Sequence, residues 1–242
     1  MTLNETIYRR KSVRSYTEEV PDGATLDKIR DFLDNLVPLY PEIRVGAEIV
    51  GKEEIRTIFP WITDRVVAVF SEETDGMFEN IGFMFQQLDL FLQSIGLGCC
   101  WLGIGKVAKN APCRDKFPGM KYVIMLSFGY PKGNALRGGA EDFRRRTLEE
   151  ISDTVDPRLE VARLAPSSVN SQPWYFVHQG DVIHTFCSFS GTIRKVPKYM
   201  NLIDIGIALA HIFVSNMETF EFFKVDNPPE KLGYKYVGSF RI

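Results

Sequence analysis

Two long apolar segments with the same internal pattern constrain the fold of this chain more than any other feature. They read FENIGFMFQQLDLFLQS, from residue 78, and NLIDIGIALAHIFVSN, from residue 201. Each opens with a polar turn, continues with Ile-Gly and then repeats apolar residues at helical spacing, which predicts a buried helix. Two such copies, far apart in the chain, favour a diverged internal duplication over a solenoid array; two unrelated α/β layers are the alternative.

Around each long helix the sequence predicts a similar succession of shorter elements. Short β-branched runs predict strands, and apolar residues three and four positions apart predict helices. In the first unit, 1–150, we expect helices at 3–10, 26–36 (with Thr25 as N-cap) and 78–95, strands at 43–50, 66–70 and 121–128, and a turn at 96–103. In the second unit, 151–242, we expect helices at 159–164 and 202–217 and strands at 175–178, 182–187 and 234–240.

Composition argues against several classes of protein. The 29 basic and 31 acidic residues give a net charge of -2, so no global field favours nucleic acid or an anionic membrane. The first residues contain no apolar signal region and no segment reads as a membrane span, which predicts a cytoplasmic protein. Four cysteines without a CxxC pair and three scattered histidines predict no metal site and reduced, buried thiols.

Two segments have residue types suited to a phosphorylated, planar ligand. The segment RRKSVRSY at 9–16 places several cations around one hydroxyl, a combination that binds phosphate monoesters. The segment PSSVNSQPW at 166–174 holds hydroxyls and amides between two prolines, and Asn170 and Gln172 could read the edge of a heterocycle. A solvated basic surface and a plain capped turn are the respective alternatives.

Two further segments could complete such a site. The small residues of GLGCCWLGIG, at 96–105, would let a flat ligand approach the backbone, although the segment could equally be a packed helix stop. The arginine triplet at 144–146, which follows Gly-Tyr-Pro at 129–131, could extend an anion site or begin a solvated helix. The sequence contains no recognisable nucleophilic triad, paired catalytic carboxylates or GxGxxG, so no catalytic side chain is assigned.

Taken together, the four segments resemble the FMN-dependent nitroreductase family. RRKSVRSY resembles its opening R-R/H-S-x-R/K-x-F/Y motif, and APSSVNSQPWYF resembles its A-P-S-x-x-N-x-Q-P-W-x-F loop. GLGCCWLG and FGYP…RRRTLEE resemble its G-L-G-x-x-W-x-G segment and its G-Y-P…K/R-x-R-x-x-L-E-E element. The resemblance implies an α+β, nitroreductase-like fold, with an antiparallel-rich sheet packed by helices.

The order of these motifs departs from that of ordinary family members. There the PSxxN loop precedes the GLG segment, and the FMN sites lie between the two subunits of a homodimer. Here the loop follows Gly-Tyr-Pro, and its counterpart at 36–50 lacks the serine and amide residues. The chain therefore resembles the Thermotoga-type subfamily, whose two unequal repeats form a pseudo-dimer within one chain. This implies one composite FMN site and a monomer.

Carried over residue by residue, the resemblance implies a set of FMN-binding positions. The basic motif and the triplet would hold the phosphate and ribityl chain, backbone N–H groups near residue 102 would face flavin N5, and the serine-rich loop would face the isoalloxazine. The set is Arg10, Lys11, Ser12, Arg14, Leu102, Gly103, Arg144, Arg146, Pro166, Ser167, Ser168 and Asn170, and a different pair from the arginines at 144–146 is the alternative. The family's partner for the pyrimidine edge could not be identified between residues 51 and 65.

The family's chemistry implies a flavin-dependent oxidoreductase. NAD(P)H would deliver hydride to the flavin, and a nitroaromatic, quinone or similar small acceptor would then take its place. The alternative is a degenerate member that kept the fold and binds a small molecule without flavin or catalysis.

Overall fold

Two four-stranded antiparallel sheets with the same strand order form the β framework. A computed structural model describes residues 1–58, 63–189 and 197–242. The first half contains helices α1 (Leu3–Ile7), α2 (Gly23–Asp34) and α3 (Met77–Ser94) and strands β1 (Val45–Gly51), β2 (Ile55–Arg56), β3 (Arg65–Ser71), β4 (Gly98–Leu102), β5 (Lys106–Val107) and β6 (Lys121–Gly129). The second contains helices α4 (Leu148–Ile151), α5 (Glu160–Arg163) and α6 (Tyr199–Ser215) and strands β7 (Trp174–Gln179), β8 (Val182–Ser188), β9 (Glu221–Phe223) and β10 (Tyr234–Arg241).

The sheets have the orders β1-β3-β6-β4 and β7-β8-β10-β9, and β2 pairs with β5 separately. When the strands are renumbered along the chain within each four-stranded sheet, both sheets have the order 1-2-4-3, and the long helix falls between strands 2 and 3. The predicted α+β class is thereby confirmed. The shared topology fits the predicted pseudo-dimer. That the two halves arose by duplication, and that the boundary between them follows residue 150, stay predictions.

The long helices α3 and α6 meet at two glycines. A Cβ added to Gly82 would overlap the backbone oxygen of Ile203, and one added to Gly206 would overlap that of Glu79. Ile203 lies three positions before Gly206, and Glu79 lies three positions before Gly82. The two contacts are therefore equivalent and are related by an approximate twofold axis. Only glycine allows the backbones to approach this closely.

Each long helix also holds a loop through a side chain two positions before its glycine. In the first half, Asn80 Oδ1 accepts hydrogen bonds from the backbone N–H groups of Leu39 and Tyr40, at 2.8 and 3.0 Å. In the second half, Asp204 Oδ1 accepts one from the N–H of Ser168, at 2.9 Å. Residues 38–40 therefore occupy in the first half the place that 166–168 occupy in the second.

Apolar residues of both halves share one buried core. Helix α6 is buried on nearly every side, as its continuous apolar sequence predicts, and the rings of Phe83 on α3 and Phe213 on α6 lie 5.2 Å apart. Burying large aromatic side chains supplies much of the hydrophobic stabilisation of such a core. All four cysteines are free and buried within the described chain.

Several predicted boundaries were wrong. Asp22, not Thr25, caps α2, because its carboxylate accepts a 2.8 Å hydrogen bond from the N–H of Thr25. The segment expected to be a turn at 96–103 forms strand β4 from Gly98, since its backbone pairs with β6. Helix α1 ends at Ile7 rather than Arg10. Strand β9 had not been predicted at all, and its three residues pair with β10.

Candidate functional site

One large cavity lies between the first sheet and helix α6. Its volume is about 1010 Å³, at the upper end of the range for small-molecule sites. Strands β4 and β6 form one wall, and α6 with the loop before β7 forms the other. Six of the residues predicted to bind FMN line it: Ser12, Arg14, Gly103, Pro166, Ser167 and Ser168.

The N-terminal segment reaches this cavity because it pairs with β4. Ser12 forms an isolated parallel bridge with Cys99, and the N–H of Val13 donates to the Cys99 carbonyl at 2.9 Å. A Cβ at Gly98 would lie 2.7 Å from Val13, so the absence of a side chain there permits this close approach. The pairing directs Arg14 to the cavity beside Cys100.

Arg10 lies outside the cavity lining, in a buried polar network. Its side chain is 1% exposed, and its Nε lies 2.8 Å from Asp89 Oδ2, without the alignment of a hydrogen bond. Gln93 binds the same carboxylate through its Nε2 at 2.9 Å, and Gln93 Oε1 accepts from the Lys11 N–H at 3.0 Å. The network thereby ties the basic motif to helix α3, and Arg10 Nη2 reaches Ser12 Oγ at 3.4 Å.

A cluster of arginines adjoins Arg10. Burial, and to a smaller extent the neighbouring Arg10, Arg137 and Arg163, lowers the pKa of Arg145 to about 10. The guanidinium carbons of Arg137 and Arg145 lie 4.2 and 5.6 Å from the ring centroid of Phe143. Arginines brought together in this way suit an anion with several oxygens.

The other arginines of the triplet are turned outward. Arg144 and Arg146 are both exposed, and the 166–172 loop binds their main-chain groups. The Arg144 carbonyl accepts a hydrogen bond from Asn170 Nδ2 at 3.1 Å. The Arg146 N–H donates to Gln172 Oε1 at 2.8 Å. Asn170 Oδ1 also accepts from Arg145 Nη1, at 2.7 Å. Both loop amides therefore hold the triplet in place.

The backbone of the 166–172 loop is strained at three residues. Val169, Asn170 and Gln172 have φ values of 49°, 57° and 49°, in the left-handed region that favours glycine. Each such residue costs on the order of 1 kcal/mol or more and persists where its surroundings hold it. Here Asp204 and Arg145 supply the hydrogen bonds, so the loop presents Ser167 and Ser168 to the cavity in a fixed conformation.

Opposite the loop, the end of β4 lines the cavity with a residue that has no side chain. Leu102 is fully buried, while the neighbouring Gly103 lines the cavity. A Cβ at Gly103 would overlap the Met200 side chain of helix α6. The two walls are therefore in contact at Gly103.

Asp204 is a cavity residue that sequence reasoning did not select. It is 3% exposed, and burial raises its pKa to about 7, against the lowering effect of hydrogen bonds from Ser168 and Ser171. The only available signal was an acidic residue within a strongly apolar helix. Arg137 was likewise not selected, and Arg144 and Arg146 were chosen from the triplet in place of Arg145, since nothing in the sequence distinguishes the inward arginines from the outward ones.

The segment expected to contain a partner for the pyrimidine edge, 51–65, lies partly outside the described residues, at 59–62. Among residues 1–58, 63–189 and 197–242, no three His, Cys, Asp or Glu side chains converge as a metal site would require. The helices of the described chain are each too short or too polar to cross a bilayer.

Comparison with known proteins places the chain. Residues 2–216 match a family described as Putative TM nitroreductase. The crystal structure of a putative nitroreductase from Thermotoga maritima is similar over 99% of this chain and 92% of that chain, with 21% identity and a TM-score of 0.65, which confirms the nitroreductase-like fold. A nitroreductase family protein from Clostridium difficile 630 matches 65% of this chain and 98% of its own, with 16% identity and a TM-score of 0.48.

An FMN-dependent nitroreductase from Clostridium difficile R20291 matches 56% of this chain and 91% of its own, with 15% identity and a TM-score of 0.43. Among curated proteins, none matches this sequence.

Proposed function

We propose, on the premise that this chain belongs to the Putative TM nitroreductase family, that it is an FMN-dependent oxidoreductase. It would move hydride from NAD(P)H to a nitroaromatic, quinone or similar small acceptor, at one composite site per chain. One observation carries the proposal. A single cavity takes the basic N-terminal motif from the first half and the serine-rich loop from the second.

The residues present fit a flavin mononucleotide. The cavity extends from Cys100, opposite Ser127, to Lys121 at the start of β6, about 20 Å at the usual rise of a strand. That length and the volume of about 1010 Å³ leave room for a cofactor and a second molecule. The donor set is also suitable, because hydroxyls and a guanidinium match a phosphate and ribityl chain, and small residues match a flat ring.

In this arrangement Ser12 and Arg14, supported by the cluster of Arg10, Arg137 and Arg145, would hold the phosphate end. Pro166, Ser167, Ser168 and Gly103 would line the ring. When bound, FMN supplies hydride transfer between the nicotinamide and the acceptor. The chain's own contribution is to bind, orient and exclude water. We further propose that the protein is cytoplasmic. We also propose that it is a monomer, because one chain already provides both sides of the site. A dimer mass measured by light scattering would contradict the monomer.

The proposal is tested by flavin retention. The visible spectrum of the purified protein is recorded after incubation with FMN and desalting, and flavin bands should remain. Arg14→Ala should raise the dissociation constant for FMN roughly 10- to 100-fold, because a charged hydrogen-bond donor is lost. Arg30→Ala is the matched control, since Arg30 lies on the exposed face of α2 in an ion pair with Asp27.

Retained flavin would be followed by a nicotinamide oxidation assay with nitro and quinone acceptors. A wild-type protein that binds no FMN would contradict the proposal and favour the flavin-free member of the fold. Equal FMN affinity in the wild type and Arg14→Ala would contradict the assignment of Arg14 alone.

A further inference from the structure

One position of the two long helices carries an ionisable side chain in one half and its neutral analogue in the other. Asp204 and Asn80 both stand two residues before a crossing glycine, and both accept hydrogen bonds from the backbone of a loop. Asn80 shows that a neutral amide suffices for this structural task, even with two N–H donors to satisfy. The acid in the second half therefore calls for a further explanation, and only that half presents the position to the large cavity.

We propose that Asp204 is a catalytic acid, which gives a proton to the acceptor as the acceptor is reduced in the cavity. The inference rests on the proposed function and deepens it by adding a proton donor to the same site.

Burial favours the protonated form of Asp204, whereas the hydrogen bonds that it accepts favour the ionised form. Both carboxylate oxygens face the N–H of Ser168, at 2.9 and 3.1 Å, and Ser171 Oγ lies 3.3 Å from Oδ2. No ion pair joins Asp204 to any cation among the described residues. Cys187, on the adjacent strand β8 of the second half, is an ionisable group near Asp204, and Glu79, on α3 of the first half, lies beyond it.

The cavity also holds cations, yet these leave Asp204 unpaired within the described chain. They lie on the first-half wall and are Arg14, Lys106, Lys109, Arg114 and Lys121. Burial is therefore the dominant influence and raises the pKa of Asp204 to about 7. An acid with a pKa near the working pH is best suited to give up a proton and recover it.

Asp204 also stands close to the reacting end of the proposed site. Met200, one helical turn earlier on α6, is the residue whose side chain meets Gly103. Met200 and Asp204 both line the cavity, so Asp204 lies on the cavity wall one helical turn from the contact with the end of β4.

The proton balance of the reaction leaves one proton to be supplied in addition to the hydride. Reduction of a quinone to a hydroquinone adds two electrons and two protons, and a hydride that originates on NAD(P)H brings both electrons and one proton. For the second proton, the O–H bond of Asp204 breaks while an O–H bond forms on the acceptor. The resulting carboxylate recovers its proton from solvent.

The first experiment needs no cofactor. Infrared spectra of the purified protein without flavin are recorded between pH 5 and 9 for the wild type and Asp204→Asn. The difference should contain the carbonyl band of a protonated carboxyl, which disappears with a midpoint near pH 7. A carboxyl that is already ionised at pH 5.5 would overturn the proposal.

The second experiment separates proton donation from loop support. FMN-loaded protein is reduced with NADH, and its reoxidation by a quinone is followed in single turnovers from pH 5.5 to 8.5. The wild-type rate should fall above about pH 7, whereas Asp204→Asn should be at least tenfold slower at pH 6 and nearly independent of pH. Its rate of reduction by NADH should stay within twofold of wild type, a split that a merely structural role would not produce.

The matched control exchanges the two residues. The double variant Asn80→Asp/Asp204→Asn keeps one acid but moves it to the other half, and it should stay as slow as Asp204→Asn. A wild-type rate and pH profile in Asp204→Asn, or a flat wild-type profile, would overturn this proposal alone. Failure of every variant, the wild type included, to bind FMN would overturn the proposed function and this proposal together.

Discussion

The two loops held by the long helices show how one scaffold position can serve two purposes. Residues 38–40, all described, contain no residue at positive φ, and a neutral amide holds them through two hydrogen bonds. The loop at 166–172 has three non-glycine residues in the left-handed region and is held by a buried acid. Of these two loops, the one that lines the cavity therefore contains the strained residues and is held by an ionisable side chain. Local costs of this kind are expected where structure serves a site.

Substitutions at the helix crossing should have the largest effect on the free energy of unfolding, and the effect should be alike in the two halves. Gly82→Ala and Gly206→Ala should each lower the free energy of unfolding by about 3 kcal/mol or more, because each Cβ would overlap a backbone oxygen. Gly23→Ala is the control and should change stability little, since no atom lies within 4 Å of its Cβ position. Urea denaturation measures all three, and clearly unequal effects at 82 and 206 would refute the approximate twofold relation.

Removing the side chain that holds each loop should instead distinguish the halves. Asn80→Ala leaves two backbone N–H groups without their partner and should cost about 2 kcal/mol. Asp204→Ala should cost less at pH 8, because it leaves one N–H group without its partner and also removes an ionised, buried carboxylate. Denaturation at pH 8 tests this order, and a larger loss for Asp204→Ala would reverse our account of the two loops.

The smallest expected effect, taken per pH unit, is a difference in the pH dependence of stability. The pKa of Asp204 is raised to about 7 in the folded protein, so the folded state retains a proton that the unfolded state loses near pH 4. Stability from this group is therefore complete below pH 4 and is lost as pH rises towards 7, by about 1 kcal/mol per pH unit between pH 5 and 6.5.

Relative to the wild type, Asp204→Asn should remove that slope and Asn80→Asp should add a second one. Guanidinium titrations at three pH values measure it. Parallel curves for the wild type and Asp204→Asn would show that the carboxyl titrates as an ordinary exposed group does.

A second buried group acts in the opposite direction at lower pH. Burial lowers the pKa of His211 to about 3, and the neutral ring lies between the Val161 carbonyl, 2.8 Å from Nδ1, and Gln86 Nε2, 3.0 Å from Nε2. Its contribution is present above the ordinary histidine pKa and is lost as pH falls towards 3. For this reason the slope due to Asp204 is read from the difference between variants and not from the wild type alone.

Sequence periodicity predicted the long helices and most strands because these follow from local spacing of apolar residues. The paired Ile-Gly motifs also indicated two similar halves. Partners of individual polar side chains were less accessible. Asn170 and Gln172 suggested a heterocycle-reading pair, yet both amides bind the arginine triplet, since their direction depends on backbone placed 26 residues away.

Asp204 was overlooked for a related reason. In the sequence it is a polar interruption of an apolar helix, and its burial, its hydrogen bonds and its place in the cavity wall arise only when the two halves meet. The residues predicted for FMN binding remain predictions, although the structure brings Ser12, Arg14, Gly103 and the start of the serine-rich loop to one cavity.

The contact between Gly82 and Gly206 has a mechanical consequence. Domains that slide or bend usually do so across a layer of side chains that can change rotamer. Where two helices touch backbone to backbone, that layer is missing, so the halves have no surface along which to shear. The separation between the cavity walls is then set by peptide geometry, and molecules of different size must be accommodated by side chains such as Met200 rather than by opening and closing of the halves.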